Sequence, residues 1–530
     1  MGDILDNSTL FFKIFRNIFL KEEIFKHVKL YRKYRSNTIF KDSIKYRLFK
    51  FKEYLSTMEY SFSEHYKIPD VDTLTIGNNF WGNNKQIQSV PKRFIPSSVT
   101  NLTISKPYDE RSNIDPKESL CNFIPPSVTK LNLLKYKNPL KVGDFHKTLE
   151  SLSIVLYKTE KLENNCLPNG LKDLNIYGFQ SVTFSTNLLP FSLTTIKVNG
   201  INLSSMDFRH LVHLKYISVE TFNGDLEKGY FSEGLESLLI FVKNDFLIRV
   251  GSLPKSLKKL FISEYKKSIE QGILPDGLQS LNICGECEKD FEIGALPSSI
   301  TYLDFGPYSK FLRKIKVGVL PLSLSSFHIP NYPFEIEEGL LPKEILSLTL
   351  PNNFNQIIKN SLLPNRLIHI DFGKIFNSII PPYTLPETLK SIRFGECFNQ
   401  EIYPGTLPNS IDFIVFTSGF NKPIRKDCWP KSLQDLDLGN SFESDIEPYS
   451  LPSSLKNLII NGPFNKIFEP NTLPLNLISL KLPQPYTKEI HANLPNLKHL
   501  LIGTTSHYEY FLKRDIKDYD DLELLSILKF

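Results

Sequence analysis

Seven prolines, Pro342, Pro364, Pro386, Pro408, Pro430, Pro452 and Pro474, follow one another at intervals of 22 residues. A fixed period of this size constrains the fold more than any other feature of the chain. One such unit cannot bury its apolar face alone, so units must stack on their neighbours as a solenoid. The unit from Leu385 reads LPETLKSIRFGECFNQEIYPGT, and the next, from Leu407, reads LPNSIDFIVFTSGFNKPIRKDC.

Within a coil the apolar positions name the element. In the unit from Leu363, Leu367, Ile370 and Phe372 carry the spacing Leu-x-x-Ile-x-Phe, followed by Phe376 and Ile380. Side chains alternate along a strand, so Ile370 and Phe372 share one face while His369 and Asp371 take the other. Proline has no N–H to give to a sheet, so the Leu-Pro pair belongs just before the strand. A glycine often follows the strand, as at Gly373, Gly395 and Gly439, where the chain must turn. A phenylalanine recurs in the second half of each coil, beside an asparagine: Phe354-Asn355, Phe376-Asn377, Phe398-Asn399, Phe420-Asn421 and Phe464-Asn465. The rings can stack into a spine. The asparagines are expected to bond backbone groups of the turn that water cannot reach.

The strand pattern is that of leucine-rich repeats. Together with the second half, Leu-Pro-x-Ser-Leu followed by Phe-Asn-x-x-Ile, it resembles the FNIP-repeat family, a relative of the leucine-rich repeats. Phe420-Asn421-Lys422-Pro423-Ile424 is near the motif, whereas Phe442-Glu443 lacks the asparagine. The likeness is strong over residues 341–480 and fades towards the N-terminus. It implies a fold class, a leucine-rich-repeat-like parallel β-solenoid, and no biochemical activity.

The register extends upstream through Pro321, Pro297, Pro275 and Pro254 to Ile68-Pro69, and downstream to Pro495, giving 20 coils. Strands survive where the proline is lost, as at Leu149-x-x-Leu152-x-Ile154. The long first two coils carry insertions, Trp81–Gln88 and Lys106–Lys117, which read as surface loops. Three regions follow: a helical basic N-terminal module over 1–66, the solenoid over 67–503, and a cap over 504–530. In the cap, Tyr519–Phe530 reads as a short helix covering the last coil.

Charge supports this division. Residues 1–66 hold 13 lysines and arginines against 8 acids, and the other 464 residues hold 50 against 49. A near-neutral solenoid argues against nucleic acid as its partner. The basic segment Lys26–Lys52 is a solvated face or a contact for an anionic surface. Some members of the resembled family carry an F-box there, which would make the chain a ubiquitin-ligase substrate receptor, but the usual Leu-Pro opening is missing. No apolar run of about 18 residues suggests a membrane span. Six scattered cysteines and an N-terminus without a signal pattern fit a cytoplasmic, reducing location.

No chemistry is legible. Cys284-Gly285-Glu286-Cys287 has no second pair to complete a zinc site, and Cys287 falls at the spine position of its coil. Gly77 and Gly82 have the first spacing of a phosphate loop, but Asn83 and Asn84 follow where lysine and serine are required. No catalytic residue, cofactor, metal or small-molecule substrate is expected. What remains is the outward sheet face. One column reads His369, Ser391, Phe413 and Asp435 in consecutive coils, and its neighbour reads Asp371, Arg393, Val415 and Asp437. Phe413 and Val415 are apolar among charges, the pattern of a protein-binding patch rimmed by His369, Asp371, Arg393, Asp435 and Asp437. The expected function is therefore a non-enzymatic protein–protein interaction scaffold, with partner and oligomeric state open.

Overall fold

A computed structural model describes residues 313–503 without a break. From 95 to 311 it describes the strands and the turns that lead into them. Between Lys26 and Ile76 it describes three strands and scattered residues. The insertions Trp81–Gln88 and Lys106–Lys117 and the cap over 504–530 lie outside the described residues. The chain divides into two compact units, residues 1–244 and 245–530.

Among the described residues, one hydrogen-bonded turn recurs at the start of coil after coil. In the coil from Pro386, the Leu389 N–H donates to the Pro386 carbonyl at 3.1 Å, and the same bond recurs from Ile411 to Pro408 at 3.2 Å and from Leu455 to Pro452 at 3.1 Å. The serine or threonine between them ties one coil to the one before. Thr388 Oγ1 donates to the Leu367 carbonyl at 2.7 Å, and the hydroxyls of Ser410 and Ser454 donate to the Leu389 and Leu433 carbonyls, each at 2.6 Å. This accounts for the Leu-Pro-x-Ser-Leu grammar: proline sets the turn, serine bonds the previous coil, and leucine enters the core.

Among the described residues of the second unit, twelve strands from Lys259–Ser263 to His499–Ile502 form a parallel ladder. Two shorter strands, Glu286–Cys287 and Lys310–Phe311, make a separate parallel pair. The register advances one coil per strand, Ile370 to Ile392 to Ile414 to Leu436 to Leu458, and all five are buried. Among its described residues the first unit repeats the arrangement with ten strands, ending at Ser237–Val242. Burial alternates along Ser151–Leu156, with Leu152, Ile154 and Leu156 inward. A strand follows each of the twenty coil starts read from the sequence, eight in the first unit and twelve in the second.

The ladder also reaches further upstream than the repeat. Thr38–Phe40 pairs in parallel with Thr57–Tyr60, which pairs with Thr73–Ile76. These two strands lie in the segment expected to be a helical module, where Lys26 and His27 are helical and most other residues lie outside the described set.

The phenylalanine spine is present. Consecutive rings stack from Phe354 to Phe376 at 5.7 Å between centroids, to Phe398 at 5.8 Å, to Phe420 at 6.4 Å, to Phe442 at 6.2 Å and to Phe464 at 5.8 Å. A second column, Phe372, Phe394 and Phe416, rises from the strands beside it. Each fully buried ring stabilises by roughly 1.5–3 kcal/mol through removal from water, with face-to-face contact in addition.

The asparagines act differently from the expectation. Asn355 Oδ1 accepts the Asn377 N–H of the next coil at 2.8 Å, Asn377 accepts that of Asn399 at 2.9 Å, and Asn399 that of Asn421 at 2.9 Å. They bridge coil to coil along the partly exposed surface instead of bonding an enclosed turn. The reason is the coil spacing: a short amide reaches the N–H one strand away. Asn421 still accepts the Glu443 N–H at 3.0 Å, and Asn465 accepts that of Thr487 at 3.0 Å, so the step from Glu443 to Asn465 interrupts the ladder.

Candidate interaction face

The expected site residues fall on four adjacent strands of the second unit. His369–Asp371, Ser391–Phe394, Phe413–Phe416 and Asp435–Asp437 pair so that His369, Ser391, Phe413 and Asp435 form one row, and Asp371, Arg393, Val415 and Asp437 the next. Alternation turns both rows away from the core, because Ile370, Ile392, Ile414 and Leu436 between them are buried. His369 is exposed, and Phe413, Asp371, Arg393, Asp435 and Asp437 are half-buried.

Val415 departs from the expectation. It points outward but is only 8% exposed. A short β-branched side chain sits here in register between Arg393 and Asp437, on strands about 4.8 Å to either side. The apolar surface is therefore supplied by Phe413, with Val415 as a floor.

The carboxylates are held by the turns that end their strands. Asp371 Oδ1 accepts the Gly373 N–H at 2.9 Å, and Asp437 Oδ1 accepts the Gly439 N–H at 2.8 Å. Both glycines have φ of +74°, a left-handed conformation that glycine adopts without penalty. Arg393 Nε lies 3.5 Å from Asp371 Oδ2. Asp435 Oδ1 accepts a bond from Asn457 Nδ2. Burial pushes the Asp437 carboxyl above its usual range, against the Gly439 N–H and the positive charges of Lys481 and Arg393. Among the described residues, neither Asp435 nor Asp437 has a cation at ion-pair distance.

The same rows continue upstream into a cluster that the sequence reading did not single out. Asp304 pairs in register with His328, His328 with Thr349, and Thr349 with Asp371. His328 Nε2 is 3.0 Å from Ser326 Oγ, and Nδ1 is 2.9 Å from Thr349 Oγ1. The Tyr302 ring lies 5.4 Å from the imidazole, and its hydroxyl donates to Asp304 Oδ2 at 3.3 Å. Burial lowers the His328 pKa, opposed by Asp304 and Asp371. Burial, with Asp304 beside it, pushes Tyr302 up to about 12. The signal for this cluster was present, since the columns that hold Asp371 and His369 can be read three coils further back. Downstream, Ser454, Lys456, Asn476 and Lys498 line a shallow groove of about 590 Å³ at the strand entries.

Among the described residues, no group of three histidine, cysteine, aspartate or glutamate side chains could hold a metal ion. No helix among them is long and apolar enough to cross a membrane. The side chain of Cys287 lies outside the described residues. Cys284, on the strand before it, is half-buried, and burial raises its thiol pKa to about 11.

The profile of the FNIP Repeat family matches residues 265–308, 331–375, 354–397, 376–419, 398–441 and 420–462. Two FNIP repeat-containing proteins of Dictyostelium discoideum are similar to the chain. The first is 26% identical over 47% of this chain and 65% of its own length, and the second is 30% identical over 32% and 34%. The matched region thus spans less than two thirds of either relative. Among solved structures, CroV588, described as a novel circular LRR protein structure, superposes over 86% of this chain and 70% of its own with a TM-score of 0.64 at 26% identity.

Proposed function

The chain carries FNIP repeats on a leucine-rich-repeat-like solenoid, and on that premise we propose that it is a non-enzymatic scaffold that binds a protein partner on the outward sheet face of its second unit. The observation that carries the reading is Phe413. It is a large aromatic side chain, half-buried on a sheet face, set between Ser391 and Asp435 in its row and beside Val415 and Asp437. Aromatic residues over an apolar floor with a polar rim are the usual anchors of protein interfaces.

Binding is favoured over catalysis by the chemistry of the face. On this face the Ser326 hydroxyl meets the His328 imidazole as a nucleophile would meet its base. There the second imidazole nitrogen faces the Thr349 hydroxyl, where a relay would need a carboxylate. The strand N–H groups around it are committed to the parallel ladder, which leaves no preorganised donor pair for a developing oxyanion.

The test is affinity purification of the full chain and its Phe413→Ser variant side by side, with circular dichroism to check folding. A partner whose recovery drops about 30-fold, a hot-spot loss, supports the face. Undiminished recovery of every partner with Phe413→Ser places the binding surface elsewhere.

A further inference from the structure

We infer that the partner presents a basic peptide segment, and that one lysine or arginine side chain of it seats on Asp435 and Asp437 with its aliphatic stem against Phe413. This rests on the binding reading above and adds the chemistry of the partner.

Three observations converge on it. Asp435 and Asp437 are two apart on one strand, so both carboxylates leave the sheet on the same side. Each has one oxygen already fixed by a neutral donor, Asn457 Nδ2 for Asp435 and the Gly439 N–H for Asp437. Those bonds orient the carboxylates without cancelling their charge. Several acids of the unit pair with a base one coil away: Glu344 with Arg366, Asp371 with Arg393, Glu396 with Lys374 and Asp445 with Lys466. Asp435 and Asp437 have no such base, and Asp437 is flanked in register by Val415 on one side and Ile459 on the other. A carboxylate walled by two aliphatic side chains loses part of its hydration, and an incoming cation restores what water no longer supplies.

Phe413 completes the geometry. It lies directly opposite Asp435 across the strand pair, within about 5 Å. A guanidinium or ammonium bonded to the two carboxylates therefore has an aromatic ring beside it, where cation–π attraction and stem packing both act. Arg393, engaged with Asp371, borders the site and rejects a second cation close by, which favours a single basic residue over a dense basic run.

The experiment uses the full chain and an array of random octapeptides, followed by fluorescence polarisation with the best labelled octapeptide. The expected result is enrichment of lysine or arginine among bound peptides. The paired variant Asp435→Asn with Asp437→Asn keeps shape and hydrogen-bond acceptors while removing charge. It should weaken the labelled peptide about tenfold or more, and flatten its salt dependence. Phe413→Leu should weaken it less than the paired variant does. Bound peptides without basic enrichment, but with binding lost on Phe413→Ser, would overturn the cationic anchor and leave the interaction face standing. Binding indifferent to both Phe413→Ser and the aspartate variants, or no octapeptide bound at all, would overturn both.

Discussion

Phe394 and Phe398, four residues apart in one coil, stack with ring centroids 4.2 Å apart and planes 22° from parallel. The first leaves the strand and the second comes from the segment that returns beneath it, so their contact is where the coil closes on itself. Phe398 also touches Phe376 and Phe420 in the coils on either side, at 5.8 and 6.4 Å. It therefore joins a contact within one coil to contacts between coils.

Phe398→Ala should cost about 3–5 kcal/mol, the range for truncating a large ring in a packed core. The loss spreads to the neighbouring coils, because stability in a stacked array is shared between adjacent units. Urea denaturation reads the size, and hydrogen exchange at the Ile392 and Ile414 amides reads the spread. An unchanged midpoint would mean that the ring carries no stacking energy.

The asparagine bridges give a second test. Asn399→Ala removes the acceptor of the Asn421 N–H and should cost about 1 kcal/mol. Glu443→Asn should do the reverse by supplying the missing step between Asn421 and Asn465, with a gain of about 0.5–1 kcal/mol. Both are measured by chemical denaturation. A loss in the second variant would show that Glu443 is held for another reason.

Gly395 is required by close approach. A Cβ there would lie 1.6 Å from the Gly373 carbonyl oxygen of the coil before, and 2.7 Å from Lys374 Cα. Both obstacles are backbone, so they cannot swing aside. Gly395→Ala should destabilise by about 3 kcal/mol, the upper part of the overpacking range. Gly294→Ala provides the comparison: its φ is +87° and nothing lies within 4 Å, so only conformational cost applies. The melting temperature of the first should fall well below that of the second.

The strands and the spine were legible because two periods, 2 within the strand and 22 along the chain, both pin the same residues inward. Ile370, Phe372 and Phe376 needed no further information. The strands Thr38–Phe40 and Thr57–Tyr60 were not legible, since neither has the Leu-Pro opening and Met58 precedes its register partner Leu74 by 16 residues instead of 22. For the candidate site, the alternation placed all seven side chains on the outward face but could not give their exposure. The burial of Val415 depends on how the side chains around it pack, which no period encodes. The asparagine bridges were half-read: residue type announced a backbone bond, but which coil it served depends on the spacing between coils. The cluster around His328 escaped because its coil has lost the Phe-Asn pair, so the columns were not followed that far back.

Asp437 offers a test of the electrostatics that leaves the core untouched. Burial raises its folded pKa above the ordinary aspartate value, with the Gly439 N–H, Lys481 and Arg393 opposing. A carboxylate with a raised folded pKa holds more protons folded than unfolded between the two values. Stability therefore falls as pH rises from the ordinary aspartate range through the raised value, and the penalty is complete above it. Asp437→Asn should remove that penalty while keeping an oxygen to accept the Gly439 N–H. The variant should have the higher urea midpoint at pH 7, and the difference should shrink to nothing as pH drops below the ordinary aspartate range. A variant less stable than the parent at pH 7 would show that Asp437 is held by a counter-charge and not stranded by burial, and it would remove the electrostatic ground for seating a partner's cation on this strand.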